Sequence, residues 1–421
     1  MSAYENFEKL FRHRESEAFE FIKALSDELW RCGATADETR QIPERIFQQF
    51  SVHKLNLALV PSVYGGREAY GSLRRRLIAN FNLGCGDPAL AIALPGPSLA
   101  SPPICSLGSL EQKRRFFRQF SEAEIPTWAA FALTEPNVGS DATALKTRAE
   151  PVPGGWRISG EKHYIGNAFR ARQAVVFATI DEKKRRFGIR AFLVDLNDPR
   201  VTVTPHRYML GLRCVQLSRI KLDSVEVDEE RLLTNPDRGA TVDAFEGAQN
   251  AWDFMRPNLS GMICGSAYRA LAEVLRVTEK SASIPFVENE RKKTRYQAIA
   301  LRHRVEAALD VCLKAANEYD HGRISSMLGS AAKALAATAA LNVADFLMSL
   351  PEEYLHMLEP GYPDRYVRNA RSFDILEGTG EMQRLMIARQ VAEQRPTRFA
   401  GLLSHLAASQ AQRHPHLMKD D

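Results

Sequence analysis

At 421 residues the chain exceeds what a single hydrophobic core usually fills and suits two or three domains. Its 45% hydrophobic and 25% charged residues are ordinary globular fractions, which exclude a disordered, collagen-like or fibrous chain. The excess of 56 Lys and Arg over 51 Asp and Glu, a formal charge of +5, is too mild to point to nucleic acid and leaves room for an anionic ligand.

The first ~120 residues follow a helical period. Phe7, Leu10 and Phe11 recur at helical spacing, as do Ala18, Phe21, Ile22, Leu25 and Leu29. Met1 to Arg31 mixes charges with apolar residues, unlike a secretion signal, and no run approaches the roughly 20 consecutive apolar residues of a membrane span. A cytoplasmic protein is expected. Pro61 to Gly66 reads as a turn, Ala89 to Leu94 as an apolar run ending at Pro95-Gly96-Pro97, and Ser109 as the start of a helix carrying Phe116, Phe117 and Phe120.

From Trp128 the period changes. Ala129 to Leu133, Gly155 to Gly160, Gln173 to Thr179, Gly188 to Val194, Val201 to Thr204 and Arg219 to Val227 read as strands. Beyond Pro236-Asp237-Arg238-Gly239 helical spacing returns in Ala267 to Val277, Tyr296 to Ala316, Ser330 to Leu347 and Glu381 to Ala392. Segregated helices, strands and helices exclude a doubly wound α/β fold. The expected architecture is α+β in three domains: all-α over 1–126, a β-sandwich or barrel over 127–236, and a four-helix bundle over 237–421.

Gly84-Cys85-Gly86-Asp87-Pro88-Ala89 fits the dinucleotide pattern GxGxxG/A, but it follows a helical run, places Pro88 where a helix should start and lacks a βαβ unit. A helix-to-helix turn is expected there. The ten histidines lack HExxH spacing, the six cysteines lack metal or disulfide spacing and read as buried free thiols, and neither GxSxG nor GxxxxGK[ST] occurs. No metal site is expected.

Two segments carry candidate chemistry. Phe131 to Asp141 (FALTEPNVGSD) is a strand running into a loop fixed by Pro136 and Gly139, with Thr134 and Ser140 offering hydroxyls. It can grip the edge of a flat polar cofactor, or be a turn capped by Ser140 or Asp141. Asp374 to Arg384 (DILEGTGEMQR) sets Glu377 between apolar residues and an amphipathic helix. A desolvated carboxylate there is a candidate base, and a solvated Glu at a helix N-terminus is the alternative.

Together these residues resemble the acyl-CoA dehydrogenase family. Thr134-Glu135-Pro136 with Gly139-Ser140-Asp141 is similar to its TEPxxGSD signature, and Glu377-Gly378-Thr379 with Gln383-Arg384-Leu385 to its EGT…QR(L/I) signature. Pro61-x-x-Tyr64-Gly65-Gly66, Gly108-Ser109-x-Glu111-Gln112-Lys113, Gly160-Glu161-Lys162, Leu210-Gly211-Leu212-Arg213 and Arg256-Pro257 extend the agreement along most of the chain. The resemblance implies FAD as cofactor and α,β-dehydrogenation of an acyl thioester, with Glu377 as the α-proton base. By the same resemblance hydride would pass to flavin N5, and the Glu377 N–H with a ribityl hydroxyl would hold the enolate oxygen. It places Phe131, Leu133, Thr134, Gly139, Ser140, Tyr164, Gly166, Thr379 and Glu381 at the cofactor, and Ser140, Asp253 and Arg256 at the pantetheine arm.

The chain departs from the family at several points. Tyr164 stands for a Trp, Gly166 for a Ser or Thr facing N5, and Glu381 for a Gln. The Arg-x-x-Phe-Gly and Gln-x-Leu-Gly-Gly elements that reach FAD on a neighbouring subunit are replaced by Glu279 to Phe286 and Leu350 to Leu355. Lys292, Lys293 and Arg295 are candidates to replace the lost Arg, or a solvated basic cluster. The departures point to a specialised biosynthetic pathway. The expected partners are an acyl-CoA or acyl-carrier-protein substrate, an electron-acceptor flavoprotein or oxygen, and a second copy in a homodimer or homotetramer. Arg74, Arg75, Arg76, Arg114 and Arg115 are candidates to meet an acidic carrier. The alternatives are a flavin monooxygenase or oxidase, or a flavin-deficient binding or scaffold relative.

Overall fold

The computed structural model describes residues 16–66, 72–234, 244–280 and 288–393. The Phe7, Leu10 and Phe11 face, the Pro236 to Gly239 turn and Ser281 to Phe286 lie outside these residues.

Apart from short helical turns, the N-terminal helices are α1 (Ser16–Thr39), α2 (Leu73–Gly86), α3 (Pro88–Ala93), α4 (Ser101–Leu107) and α5 (Leu110–Ser121). Alternating spacings of three and four place Ile22, Leu25, Leu29, Cys32 and Ala36 of α1 in one buried stripe. Asp87 caps α3 by accepting the Leu90 N–H at 3.0 Å, and Pro88 opens that helix. The expected turn is thus only one residue long, and Pro88 belongs inside the helix because the first position leaves its N–H unused in any case. Ser109 and Gln112 form a reciprocal capping box at α5, and the Gln112 Nε2 donates to the Leu232 carbonyl at 2.7 Å, tying the helix to the β unit.

Seven strands follow: β1 (Ala129–Ala132), β2 (Arg148–Val152), β3 (Gly155–Ile165), β4 (Gln173–Thr179), β5 (Ile189–Asp195), β6 (Val201–Pro205) and β7 (Ser218–Asp228). They form one sheet in the order β1-β4-β2-β3-β7-β6, with β5 also on β4; β1 and β4 run parallel. Strand alternation explains its two cores. Val175 and Phe177 face the N-terminal helices with Phe116, Phe117 and Phe120, while Ala174, Val176 and Ala178 face Ile158, Ile220 and Val225 inside the curled sheet. β2 gives no alternating apolar signal and contains Pro151, so the sequence pattern missed it.

The C-terminal helices are α6 (Ala244–Lys280), α7 (Glu288–Asp320), α8 (Ser326–Met348), α9 (Tyr362–Ile375) and α10 (Gly380–Glu393). α8 is long and apolar enough to cross a membrane by length and composition, but more than half of that stretch is buried in the protein. The bundle packs on α2 through glycines on both partners. A Cβ on Gly84 would lie 2.1 Å from the Met262 carbonyl oxygen, and one on Gly265 would lie 1.9 Å from that of Phe81. Both glycines are therefore packing devices, which is what the dinucleotide-like pattern at Gly84 reflects. G84A is expected to force the helices apart and lower stability by about 1–3 kcal/mol, read as a lower urea midpoint at unchanged slope.

All six cysteines are free thiols; Cys32, Cys214, Cys264 and Cys312 are buried, but Cys105 is exposed, against the expectation of uniform burial.

Candidate active site

The Glu377 segment is a left-handed turn between two helices. α9 stops at Ile375 and Leu376 is extended; then Glu377 and Gly378 take φ values of 58° and 94°. Glycine adopts this conformation freely, whereas Glu377 pays roughly 1–2 kcal/mol for it, so the surroundings must hold it there. Donors from three helices do so. Lys333 Nζ of α8 reaches the carbonyls of Asp374 and Gly378, both at 3.2 Å. Gln383 Nε2 of α10 reaches those of Glu377 and Gly378, both at 3.1 Å, and Arg256 Nε of α6 reaches that of Glu377 at 3.4 Å. Thr379 then caps α10, its hydroxyl accepting the Met382 N–H at 3.3 Å.

Glu377 keeps partial solvent access while protein surrounds its carboxyl. Burial pushes its carboxyl above the ordinary range, and the Arg256 and Lys333 cations oppose that shift. Among the described residues no backbone acceptor takes the Glu377 N–H.

Arg256 is buried beside it. Its guanidinium lies 5.5 Å from the Trp252 ring centre and 3.7 Å from Asp253, with Nη1 buried and without a hydrogen-bond partner. Burial lowers its pKa, opposed by Asp253 and Glu377. Asp253 points inward: its carboxylate accepts Ser326 Oγ at 2.8 Å and Gln249 Nε2 at 3.1 Å. Burial raises the Asp253 carboxyl, opposed by those contacts and by Arg256.

In the loop after β1, Glu135 is buried although it carries a charge. Its carboxylate accepts the N–H groups of Lys146 (2.7 Å) and Thr147 (3.0 Å) and the ammonium of Lys162 (2.7 Å), which also donates to the Leu133 carbonyl at 3.0 Å. Burial raises Glu135, but Lys162 and the hydrogen bonds prevail and its carboxyl sits below the ordinary range; burial holds Lys162 itself down to about 8. This clasp leaves Pro136, Asn137, Gly139 and Ser140 exposed along the loop, with Thr134 and Phe131 half-buried and Leu133 in the core. The Thr134 carbonyl accepts the His163 N–H at 2.8 Å, which joins the loop to the strand carrying Tyr164. Tyr164, at φ 57°, presents a ring 58% exposed, stacked on His206 at 4.9 Å.

Gly166 has room for a side chain, because a Cβ would meet only Val215 Cγ1 at 3.6 Å and Leu217 Cδ2 at 3.8 Å. The exposed Glu381 keeps its carboxyl below the ordinary range through its own N–H and the Thr379 hydroxyl, so it fills the first turn of α10 that an anion would otherwise use. Glu352 and Glu353 are exposed, while the neighbouring Tyr354 is buried in the bundle core. Lys292 and Lys293 pair with Glu288 and Glu290 on their own helix, and Arg295 reaches Glu279 at 3.3 Å. Arg115 lies 3.9 Å from Glu230, and Arg76 stacks over Phe254 at 5.3 Å.

The chain thus joins a helical domain, a curled sheet and a helical bundle whose own helices hold the carboxylate-bearing turn. Three family models match the chain in succession: acyl-CoA dehydrogenase N-terminal domain over residues 20–124, middle domain over 130–225 and C-terminal domain over 245–392. An acyl-CoA dehydrogenase of Bacillus subtilis is 29% identical over 357 residues, 84% of this chain and 91% of that protein. The mitochondrial short-chain specific acyl-CoA dehydrogenase of Mus musculus is 30% identical over 295 residues, 69% of each chain. Among solved structures, butyryl-CoA dehydrogenase from Megasphaera elsdenii matches with a TM-score of 0.77 at 23% identity, covering 90% of this chain and 99% of that one. The prolyl acyl carrier protein oxidase AnaB matches with a TM-score of 0.79 at 21% identity, with the same coverage. The chain belongs to the acyl-CoA dehydrogenase family and is an FAD-dependent oxidoreductase.

The residues present fit the flavin end of that cofactor: an exposed Tyr164 ring and an open Gly139 to Ser140 edge. Sequence reasoning missed Lys333 and the Glu135–Lys162 clasp. One signal pointed to the first: Lys333 is the only charged residue between Ser326 and Ala344.

Proposed function

We propose that the protein oxidises an acyl thioester across its α,β-bond, with Glu377 taking the α-proton. The observation that carries this reading is the Glu377 turn, where a carboxylate is forced into a left-handed conformation, desolvated, and balanced by two cations. FAD, when bound, accepts the hydride that leaves the β-carbon. The chain's own residues do the rest. Burial raises the basicity of Glu377, and the Glu377 N–H is a donor for the thioester oxygen as negative charge builds on it. Arg256 and Lys333 oppose that rise and so favour the carboxylate form. Phe131, Leu133, Thr134, Gly139, Ser140, Tyr164, Gly166, Thr379 and Glu381 line the cofactor in this reading, and Ser140, Asp253 and Arg256 meet the pantetheine arm.

The thioester is carried by CoA or by a carrier protein. The similarity to butyryl-CoA dehydrogenase supports the first and that to a prolyl acyl carrier protein oxidase supports the second. The protein acts in the cytoplasm, in a specialised biosynthetic pathway, as a homodimer or homotetramer that passes electrons to a flavoprotein or to oxygen.

Anaerobic mixing of the flavin-loaded protein with a panel of acyl-CoA and acyl-carrier-protein thioesters tests the reading. Bleaching of the oxidised flavin band is expected, with the favoured carrier reducing faster. No bleaching by any member of the panel removes it. The base works only when ionised, and burial has raised its pKa, so the rate of bleaching falls as pH drops through a value above the ordinary carboxylate range.

A further inference from the structure

We propose that Lys333 is a positioning residue for this reaction: its ammonium, set between the carbonyls of Asp374 and Gly378, fixes the turn that carries Glu377. The inference rests on Glu377 being the base.

A lysine is an expensive residue at this position. Its side chain is fully buried in α8, and an ammonium taken out of water costs several kcal/mol unless partners restore the lost hydration. Among the described residues no carboxylate lies within ion-pair distance; both hydrogen-bond partners are main-chain carbonyls, at 3.2 Å each. A Leu or Met of similar length would pack there without that penalty, so the fold alone gives no reason for a charge.

The two carbonyls supply the reason. The Asp374 carbonyl belongs to the last turn of α9, where carbonyls lack a helical partner and the helix dipole favours a cation. The Gly378 carbonyl lies on the far side of Glu377. Lys333 therefore brackets the residue, whereas Gln383 and Arg256 hold only carbonyls within the turn itself. Lys333 is the link between the turn and the end of α9, and without it the strained φ of Glu377 has one anchor fewer against relaxation.

The same ammonium acts on the Glu377 charge. Facing Lys333 are Asp374 of α9, Glu377 in the turn and Glu381 of α10, with Arg256 of α6 as the opposing cation. Burial holds Lys333 down to about 8, so the ammonium persists at neutral pH and favours the ionised form of Glu377.

The test compares K333M, which removes the charge and both donors, with K333Q, which keeps a donor amide without the charge. The first readout is single-turnover flavin reduction by saturating thioester across about pH 5 to 9. The second is infrared titration of the Glu377 carboxyl, which needs no turnover. K333M is expected to reduce flavin about ten- to a hundredfold more slowly, with thioester affinity within about threefold, and with the acid limb moved to higher pH. K333Q is expected to recover part of the rate while keeping the displaced acid limb and the matching infrared shift.

Wild-type rate and acid limb in either folded variant overturn the proposal. So does a slower rate with an unmoved acid limb and infrared titration, which is what a merely structural lysine gives. Failure of both variants to fold also overturns it, because Lys333 then serves the core. If the wild type is inert toward every thioester but the infrared shift appears in K333Q, the dehydrogenase reading fails while the hold of Lys333 on Glu377 stands.

Discussion

Replacing Glu377 with Gln is expected to slow flavin reduction by an acyl thioester by about 10³-fold or more, near the upper part of the range a general base supplies. The substitution is almost isosteric, and the turn is held through carbonyls of residues 374, 377 and 378 rather than through the carboxyl, so the left-handed geometry should survive. Melting temperature and bound flavin should therefore match wild type. An amide has no basicity at working pH, so the α-proton has nowhere to go. The variant also removes a buried carboxylate facing Arg256 and Lys333, which leaves two cations opposite a neutral group. Their field should strengthen binding of an enolate-like thioester analogue even as turnover is lost. Turnover within tenfold of wild type would show that another base operates.

That site was legible in the sequence because its chemistry is local. Glu377, Gly378 and Thr379 are adjacent, and the helical spacing from Glu381 to Ala392 placed the segment just before a helix. The unbroken apolar run of β4, buried on both faces, likewise announced a strand. What stayed hidden depends on separation along the chain. Lys333 meets the Glu377 turn from more than 40 residues away, and Lys162 meets Glu135 across 27. Side-chain spacing carries no record of such meetings. Pro88 misled for a different reason, since the residue that breaks a helix interior is favoured at its first position. The glycines of the Gly84 pattern show how one residue type serves two ends: backbone approach to a phosphate in one setting, and backbone approach to a crossing helix here.

The second large effect is expected at Lys162, whose replacement by Met should lower stability by about 3–5 kcal/mol at neutral pH, the usual result of leaving one member of a buried pair behind. Glu135 would keep the N–H groups of Lys146 and Thr147 but lose its counter-charge at 2.7 Å. The Leu133 carbonyl would lose its donor as well. Since these contacts shape the loop that presents Thr134, Gly139 and Ser140, retained flavin should fall together with the urea midpoint.

The pH dependence of K162M distinguishes a charge effect from poor packing. In wild type Glu135 has its carboxyl below the ordinary range, so it contributes stability above about pH 4.5 that is lost as pH falls through the lowered value. Without Lys162, burial dominates and raises that carboxyl, so protonation relieves the variant as pH drops. The stability gap should therefore narrow steadily from pH 7 towards pH 4, and adding E135Q to K162M should close much of it at pH 7. A gap that stays constant with pH, with no rescue by E135Q, would mean that lost side-chain packing rather than an unpaired buried charge sets the cost.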